Sequence, residues 1–133
     1  MGAWDTGPFD NDDAADWVYE LEEAVDATIV RAALRSVVES LGYLESPNAS
    51  VAIAAAEVVA ASRGRQVPSL PDSVALWSQA HRGSFDDTDR QMAIDVVDRV
   101  LGTDSELTEV WLDSWGTEWT RGVNDLRRRL AAD

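Results

Sequence analysis

The sequence contains no cysteine and no lysine, and its apolar runs are short. The absence of cysteine excludes disulfide bonds, thiol nucleophiles and zinc sites built on thiolates. No uninterrupted apolar stretch reaches about 18 residues, the length that a transmembrane helix requires. The segment Met1–Asp13 lacks the basic and apolar regions of a secretory signal. We therefore expect a cytoplasmic protein that does not enter the membrane.

Catalytic patterns are also scarce. The chain has one histidine, His81, and no serine or carboxylate lies at a spacing that would complete a catalytic triad with it. The glycines match neither the dinucleotide-binding fingerprint nor the phosphate-binding loop. We expect His81 to lie at the surface near the C-terminal end of a helix, where a cation suits the helix dipole. We expect no catalytic residue and no cofactor.

The charge is strongly one-sided, with 25 acidic residues against 11 basic ones and a formal net charge of −14. Every basic residue is arginine. Such a field repels nucleic acid and anionic lipid, and it speeds encounters with basic proteins. It therefore favours an interaction module, such as an immunity-type or inhibitor protein that neutralises a basic toxin or a basic nucleic-acid-binding protein. It is also typical of a surface that only confers solubility.

The segment Ser46–Ser62 is the expected centre of the fold. Apolar residues lie on all faces of this alanine-rich stretch, which is typical of a helix surrounded by other helices. Pro47 is a helix-start signal. No segment shows the alternation of a half-buried strand. We predict a single all-α domain over residues 1–133, with about seven helices around residues 46–62 and an ordered N-terminal arm at residues 1–10.

Capping signals place the ends of the other helices. We predict a cap at Asp10 ahead of helix one, and a second helix from about Ala27 to Leu41 that is ended by Gly42. Capping boxes at Thr88–Gln91 and Thr103–Glu106 are expected to start helices five and six.

The C-terminal segment carries apolar residues at every fourth position. They are Leu107, Trp111, Trp115, Trp119 and Val123. At about 100° per residue a straight helix cannot bury them all, so we predict a break at Ser114–Thr117. Trp115 is then the least buried, and an exposed tryptophan beside an acidic face is suited to a protein partner. We expect Arg127–Arg129 to match the dipole of the last helix rather than to bind nucleic acid.

Acidic residues are concentrated at two places in the chain. The first cluster consists of Asp5, Asp10, Asp12, Asp13 and Asp16, and the second of Asp86, Asp87 and Asp89. Neither cluster fits an EF-hand loop, and the Glu-x-x-His motif of two-helix carboxylate sites is absent. We predict no metal site, and we assign Asp10, Asp12, Asp13 and Asp16, together with Trp115, to partner binding. The alternative is a carboxylate-dependent metalloenzyme that uses the N-terminal aspartates with Glu57.

Glu57 is the one charged residue of the central helix. A carboxylate there must reach the surface, pair with an arginine, or stay buried with a raised pKa. We expect Glu57 to pair with Arg31 or Arg35. The alternative is a functional acid.

Five stretches of the chain carry a family resemblance. They are M-G-A-W-D-T-G-P-F-D-N-D-D-A-A-D-W at the start, Y-L-E-S-P-N-A-S at Tyr43–Ser50, A-A-A-E-V-V-A-A at Ala54–Ala61, S-E-L at Ser105–Leu107, and Trp119 with Asp125-Leu126. Together they resemble the uncharacterised bacterial domain of unknown function 4259 family, with Asp5 in place of an expected glycine. The resemblance implies a small, soluble, all-helical and mostly actinobacterial protein, and it implies no activity or catalytic residue.

Three functions therefore stay open at this point. The first is an acidic module that binds a basic protein, and the second is the carboxylate-dependent metalloenzyme. The third is a structural or stress-related protein that has no partner.

Overall fold

The computed structural model describes residues 7–112 and 116–132. In these two ranges the chain forms seven α-helices, one short 3-10 turn and no β-strand. The helices are α1 (Asp12–Glu23), α2 (Thr28–Val38), α3 (Ser46–Ser62), α4 (Asp72–Ala80), α5 (Asp87–Leu101), α6 (Glu106–Leu112) and α7 (Gly116–Ala131). The prediction of an all-α fold of about seven helices is confirmed. None of the described helices is long and apolar enough to cross a membrane.

Helix α3 is the centre of the fold, with the predicted bounds. Every side chain from Ala52 to Ser62 is buried, and α3 contacts each of the other six helices. Its alanines allow this because small side chains let neighbouring helix backbones approach closely. A helix that is enclosed on all faces needs apolar residues on all faces, which is why its sequence shows no polar stripe.

The start of α1 differs from the prediction by one residue. The cap is Asn11, whose Oδ1 accepts a hydrogen bond of 2.8 Å from the Ala14 N–H. Asp10 instead lies in a turn, in which its N–H donates to the Gly7 carbonyl oxygen at 3.1 Å. This turn leaves the next residue in the extended conformation that a helix cap requires. Of the predicted arm, Phe9 is buried, whereas residues 1–6, with Trp4, lie outside the described part.

The predicted end of α2 is wrong, because the helix ends at Val38 and leaves Leu41 95% exposed. The chain has to turn after α2 in order to bring Leu44 beside Ser105, where the two residues form an isolated parallel bridge. Gly42, with a φ of +82°, adopts the left-handed conformation within that turn. The helical spacing of apolar residues continues to Leu41, but the tertiary bridge overrides it.

The predicted capping box of α5 is also wrong. The box is formed by Asp86 and Asp89, in which each carboxylate accepts a hydrogen bond of 3.0 Å from the N–H of the other residue. Arg31 on α2 binds both oxygens of Asp89 at 2.9 Å, and this ion pair holds the Asp89 side chain at the helix start. Thr88 and Gln91 therefore do not form the box.

The capping box predicted for α6 at Thr103–Glu106 is replaced by a contact between helices. α6 begins at Glu106, and its Oε1 accepts a hydrogen bond of 2.7 Å from the Ser46 N–H at the start of α3. An N–H in the first turn of a helix has no acceptor within that helix. Glu106 provides the acceptor for the N–H at the start of α3.

The C-terminal segment is divided into two helices, as predicted. α6 ends at Leu112 and α7 begins at Gly116. The buried residues of α7 are the predicted Trp119, Val123, Leu126 and Leu130. Trp115, the predicted hot spot, lies outside the described residues.

Candidate functional site

The buried carboxylate of Glu57 is paired with an arginine, but not with either of the arginines predicted. Glu57 is 2% exposed, and its Oε1 and Oε2 accept hydrogen bonds of 2.8 and 3.0 Å from Nη1 and Nη2 of Arg129 on α7. Arg31 is engaged with Asp89 instead, and Arg35 is exposed on α2. The expectation of an arginine partner is thus confirmed, whereas its assignment to α2 is wrong.

Arg129 is held by two further acceptors. Its Nε donates to Oδ2 of Asp125 at 2.7 Å, and its Nη1 also donates to the Arg65 carbonyl oxygen at 3.0 Å. A guanidinium that binds a carboxylate through two parallel hydrogen bonds has one preferred orientation. The network therefore fixes the C-terminal end of α7 against the middle of α3.

The helical spacing of α7 contains a sequence signal for Arg129. Leu126 and Leu130 belong to the buried stripe of α7, and position 129 lies one helical turn after Leu126, at the edge of that stripe. A basic residue on the buried side of an amphipathic helix requires a partner. The signal identifies Arg129 as a buried cation, but it does not identify its acceptor 72 residues away.

Burial dominates the electrostatics of Glu57 and raises the pKa of its carboxyl group, while the hydrogen bonds from Arg129 oppose this rise. Both carboxylate oxygens already accept from the guanidinium, so a substrate or a cation would have to compete with Arg129 for them. The geometry is that of a structural ion pair between two helices.

A cleft of about 830 Å³ lies beside this ion pair. It is bounded by the arm residues Gly7 and Pro8, by α3, by the segment that follows α3, and by α7. Its charged lining residues are three acids and three bases, namely Glu57, Glu118, Asp125, Arg121, Arg128 and Arg129. The volume suits a small molecule, but the balanced charge selects neither an anion nor a cation.

The described aspartates of the N-terminal cluster are not brought to Glu57. Asp12, Asp13 and Asp16 are exposed on α1, Asp10 is half-buried in its turn, and none of the four lines the cleft. Within the described part of the chain, no group of three or more His, Asp or Glu residues could hold a metal ion. Asp5 lies outside that part, and the metalloenzyme alternative stays a prediction.

His81 lies directly after α4 and is half-buried. Its ring stacks on Trp77 with 3.9 Å between the ring centroids, and its Nδ1 lies 2.8 Å from the Trp77 carbonyl oxygen. This carbonyl belongs to the last turn of α4, so the predicted position at a helix C-terminus is confirmed. The contacts of the ring are those of a packed side chain.

The remaining arginines of the C-terminal triplet also bind within the chain. Arg127 pairs with Asp98 on α5 at 2.7 Å, and Arg128 pairs with Asp125. Arg129 therefore joins α7 to α3, and Arg127 joins α7 to α5. Arg128 binds within α7.

Comparisons with known proteins gave one result. A family model described as Domain of unknown function (DUF4259) matches residues 2–122, which confirms the resemblance found in the sequence. A search of curated proteins gave no match, and neither did a search of solved structures.

Proposed function

The chain belongs to the DUF4259 family, and we propose that it is an acidic interaction module that binds a basic protein through the exposed face of α1. The partner is of the kind that carries a basic surface, such as a toxin or a nucleic-acid-binding protein, and the module acts as an immunity-type or inhibitor protein. A cytoplasmic location and a bacterial source belong to the same proposal, as does the absence of binding to nucleic acid and to membranes.

The uneven distribution of charge along the chain carries this proposal. The first 30 residues contain nine acidic residues and no basic one, so this segment contributes −9 to the net charge of −14. Solubility alone requires charge on the surface, but it does not require that charges of one sign be concentrated in one segment. When negative charges are concentrated on one segment, they produce a directional electrostatic field. This field steers basic partners toward that segment.

Helix α1 presents much of this charge to solvent. Its buried stripe consists of Ala14, Trp17, Val18 and Leu21. Its exposed side carries Asp12, Asp13, Asp16, Glu20 and Glu23, together with Tyr19 at 69% exposure. Tyrosine is enriched at the energetic centres of protein interfaces, so Tyr19 gives the acidic face an apolar contact as well as charge.

The carboxylates of α1 are available to a partner because they form no ion pair with a described residue. The six ion pairs of the described chain join five arginines to acids of α3, α5 and α7 instead. Charges closer together than the Debye length of about 10 Å at 0.1 M salt act jointly on an approaching molecule. Such a face raises the rate of encounter and excludes acidic competitors.

Affinity capture with matched variants tests the proposal. The test variant removes three charges from α1 by Asp12→Asn, Asp16→Asn and Glu20→Gln. The control removes three exposed carboxylates from α5 and α7 by Asp87→Asn, Asp95→Asn and Glu118→Gln, so that both proteins have the same net charge.

We expect the native chain and the control to recover the same basic protein from a lysate of the source cells, and the α1 variant to recover much less of it. Equal recovery by the α1 variant, or a recovered protein that is not basic, contradicts the proposal. An empty capture with a stable monomer favours a structural or stress-related role. Heat released on titration with calcium, magnesium or manganese favours the metalloenzyme.

A further inference from the structure

Exposed apolar side chains are concentrated at the C-terminal end of α2. Six large apolar residues of the described chain are exposed, and three of them are Val38 at 42%, Leu41 at 95% and Tyr43 at 51%. We call these three residues the Leu41 patch. A single exposed leucine is common on protein surfaces, but three exposed apolar residues within six consecutive positions, 38–43, form a candidate interaction site.

The backbone that carries the Leu41 patch is held firmly. Arg99 on α5 donates from Nη2 to the Gly42 carbonyl oxygen. The next anchor is Leu44, which is buried and whose N–H donates to the Asp104 carbonyl oxygen at 2.7 Å. Because the segment is already ordered, binding through it loses little conformational entropy.

Carboxylates surround the Leu41 patch. Glu39 and Glu45 flank it in sequence, and both are exposed. The carboxylate of Glu109 on α6 interacts with the Tyr43 hydroxyl group, and this interaction, together with desolvation and the nearby charges of Glu106 and Asp104, raises the pKa of Tyr43 to about 12.

The positive charges near the patch are fewer. The Arg99 guanidinium is engaged by the backbone carbonyl oxygens of Gly42, Thr103 and Asp104. Arg35 lies one helical turn before Glu39 and is exposed. The surroundings are therefore acidic on balance, and they complement a basic partner.

We propose that the Leu41 patch docks an amphipathic basic segment of a protein partner, in which apolar side chains contact Leu41 and Tyr43 while flanking arginine or lysine residues pair with the acidic rim. The inference rests on the proposed function and adds a second contact surface to the face of α1. The apolar contact would supply affinity, and the rim would supply orientation and selectivity.

Two labelled peptides test this docking site by fluorescence anisotropy. The first is an amphipathic helix with leucines on one face and lysines elsewhere, and the second replaces its leucines with serines at the same charge. The test variants are Leu41→Ser and Tyr43→Ser. The matched controls are Val25→Ser and Leu76→Ser, which remove apolar side chains that are 87% and 67% exposed at other places on the surface.

We expect the leucine peptide to bind the native chain more tightly than the serine peptide does. Leu41→Ser should weaken its binding at least about ten-fold, as is common for the central residue of an interface, whereas both controls should bind as the native chain does. Far-ultraviolet circular dichroism should show that all four variants keep the native helix content, because each removes only an exposed side chain.

Other results overturn the inference in distinguishable ways. Equal binding of the two peptides, with no effect of Leu41→Ser, overturns the docking site and leaves the acidic module in place. Binding of neither peptide overturns both the docking site and the acidic module. Self-association of the native chain in sedimentation, lost in Leu41→Ser, identifies a second copy as the occupant and overturns the basic partner.

Discussion

Removal of Arg129 should destabilise the protein in a way that depends on pH. In Arg129→Met the carboxyl group of Glu57 stays buried without its donor. An isolated charge is not retained there, so Glu57 takes up a proton when the chain folds. Protonation of a group whose ordinary pKa is 4.5 costs up to about 3 kcal/mol at pH 7, at about 1.4 kcal/mol per pH unit. This agrees with the loss of about 3–5 kcal/mol that is usual when one partner of a buried pair is removed.

The sign of the pH effect follows from proton uptake. The folded variant binds one proton more than its unfolded chain does above about pH 4.5, so its stability falls as the pH rises through this range. Relative to the native chain, the deficit of Arg129→Met should therefore shrink as the pH is lowered from 7 toward 4.5. Urea denaturation followed by circular dichroism at several pH values measures the free energy of unfolding and its trend.

Two further proteins sharpen this test. Arg128→Met removes the neighbouring arginine, whose side chain is 77% exposed, and should cost less than about 1 kcal/mol. The double variant Glu57→Leu/Arg129→Met removes both buried charges, and it should be about as stable as the native chain or more stable. An Arg129→Met variant that is no less stable than Arg128→Met, or that has a deficit independent of pH, would contradict a buried ion pair between Glu57 and Arg129.

Three other predictions concern stability, and urea denaturation checks each of them. Asn11→Ala removes the cap of α1 and should cost about 1 kcal/mol, whereas Asp10→Ala should cost less; the reverse order would contradict the cap assignment. Ala55 is fully buried in α3, so Ala55→Leu should cost about 1–3 kcal/mol through overpacking. An unchanged midpoint of urea denaturation would contradict the close packing of α3. Arg31 lowers the pKa of Asp89 below its ordinary value of 3.8. The native chain should therefore lose its stability advantage over Asp89→Asn as the pH falls below about 4. A stability difference between the two proteins that is independent of pH would contradict this.

The sequence predicts those parts of the fold that depend on local pattern. The bounds of α3 follow from a segment that has no polar face and carries Pro47 at its start. The buried face of α7 follows from helical spacing, as does the need for a break before Gly116. Each of these features is determined within a short window of sequence.

The errors occur where distant residues compete for the same group. Two capping boxes are compatible with the sequence at the start of α5, and Arg31, 58 residues away, selects Asp89. Glu106 fits a box of its own helix but caps α3 instead. For Glu57 the sequence predicts an arginine partner, but the choice of Arg129 depends on the packing of α7 against α3, which no local pattern contains.

Binding of a basic protein by the acidic face of α1 should depend on salt concentration. The most direct test is the dissociation constant of the captured partner, measured by calorimetry at low and high salt for the native chain, the α1 variant and the control of equal charge. We predict that the α1 variant binds about five-fold more weakly than the other two at low salt, since three lost charge contacts at a few tenths of a kcal/mol each sum to about 1 kcal/mol. This difference should shrink at high salt. Equal affinity of the α1 variant and the control at low salt would contradict binding by this face.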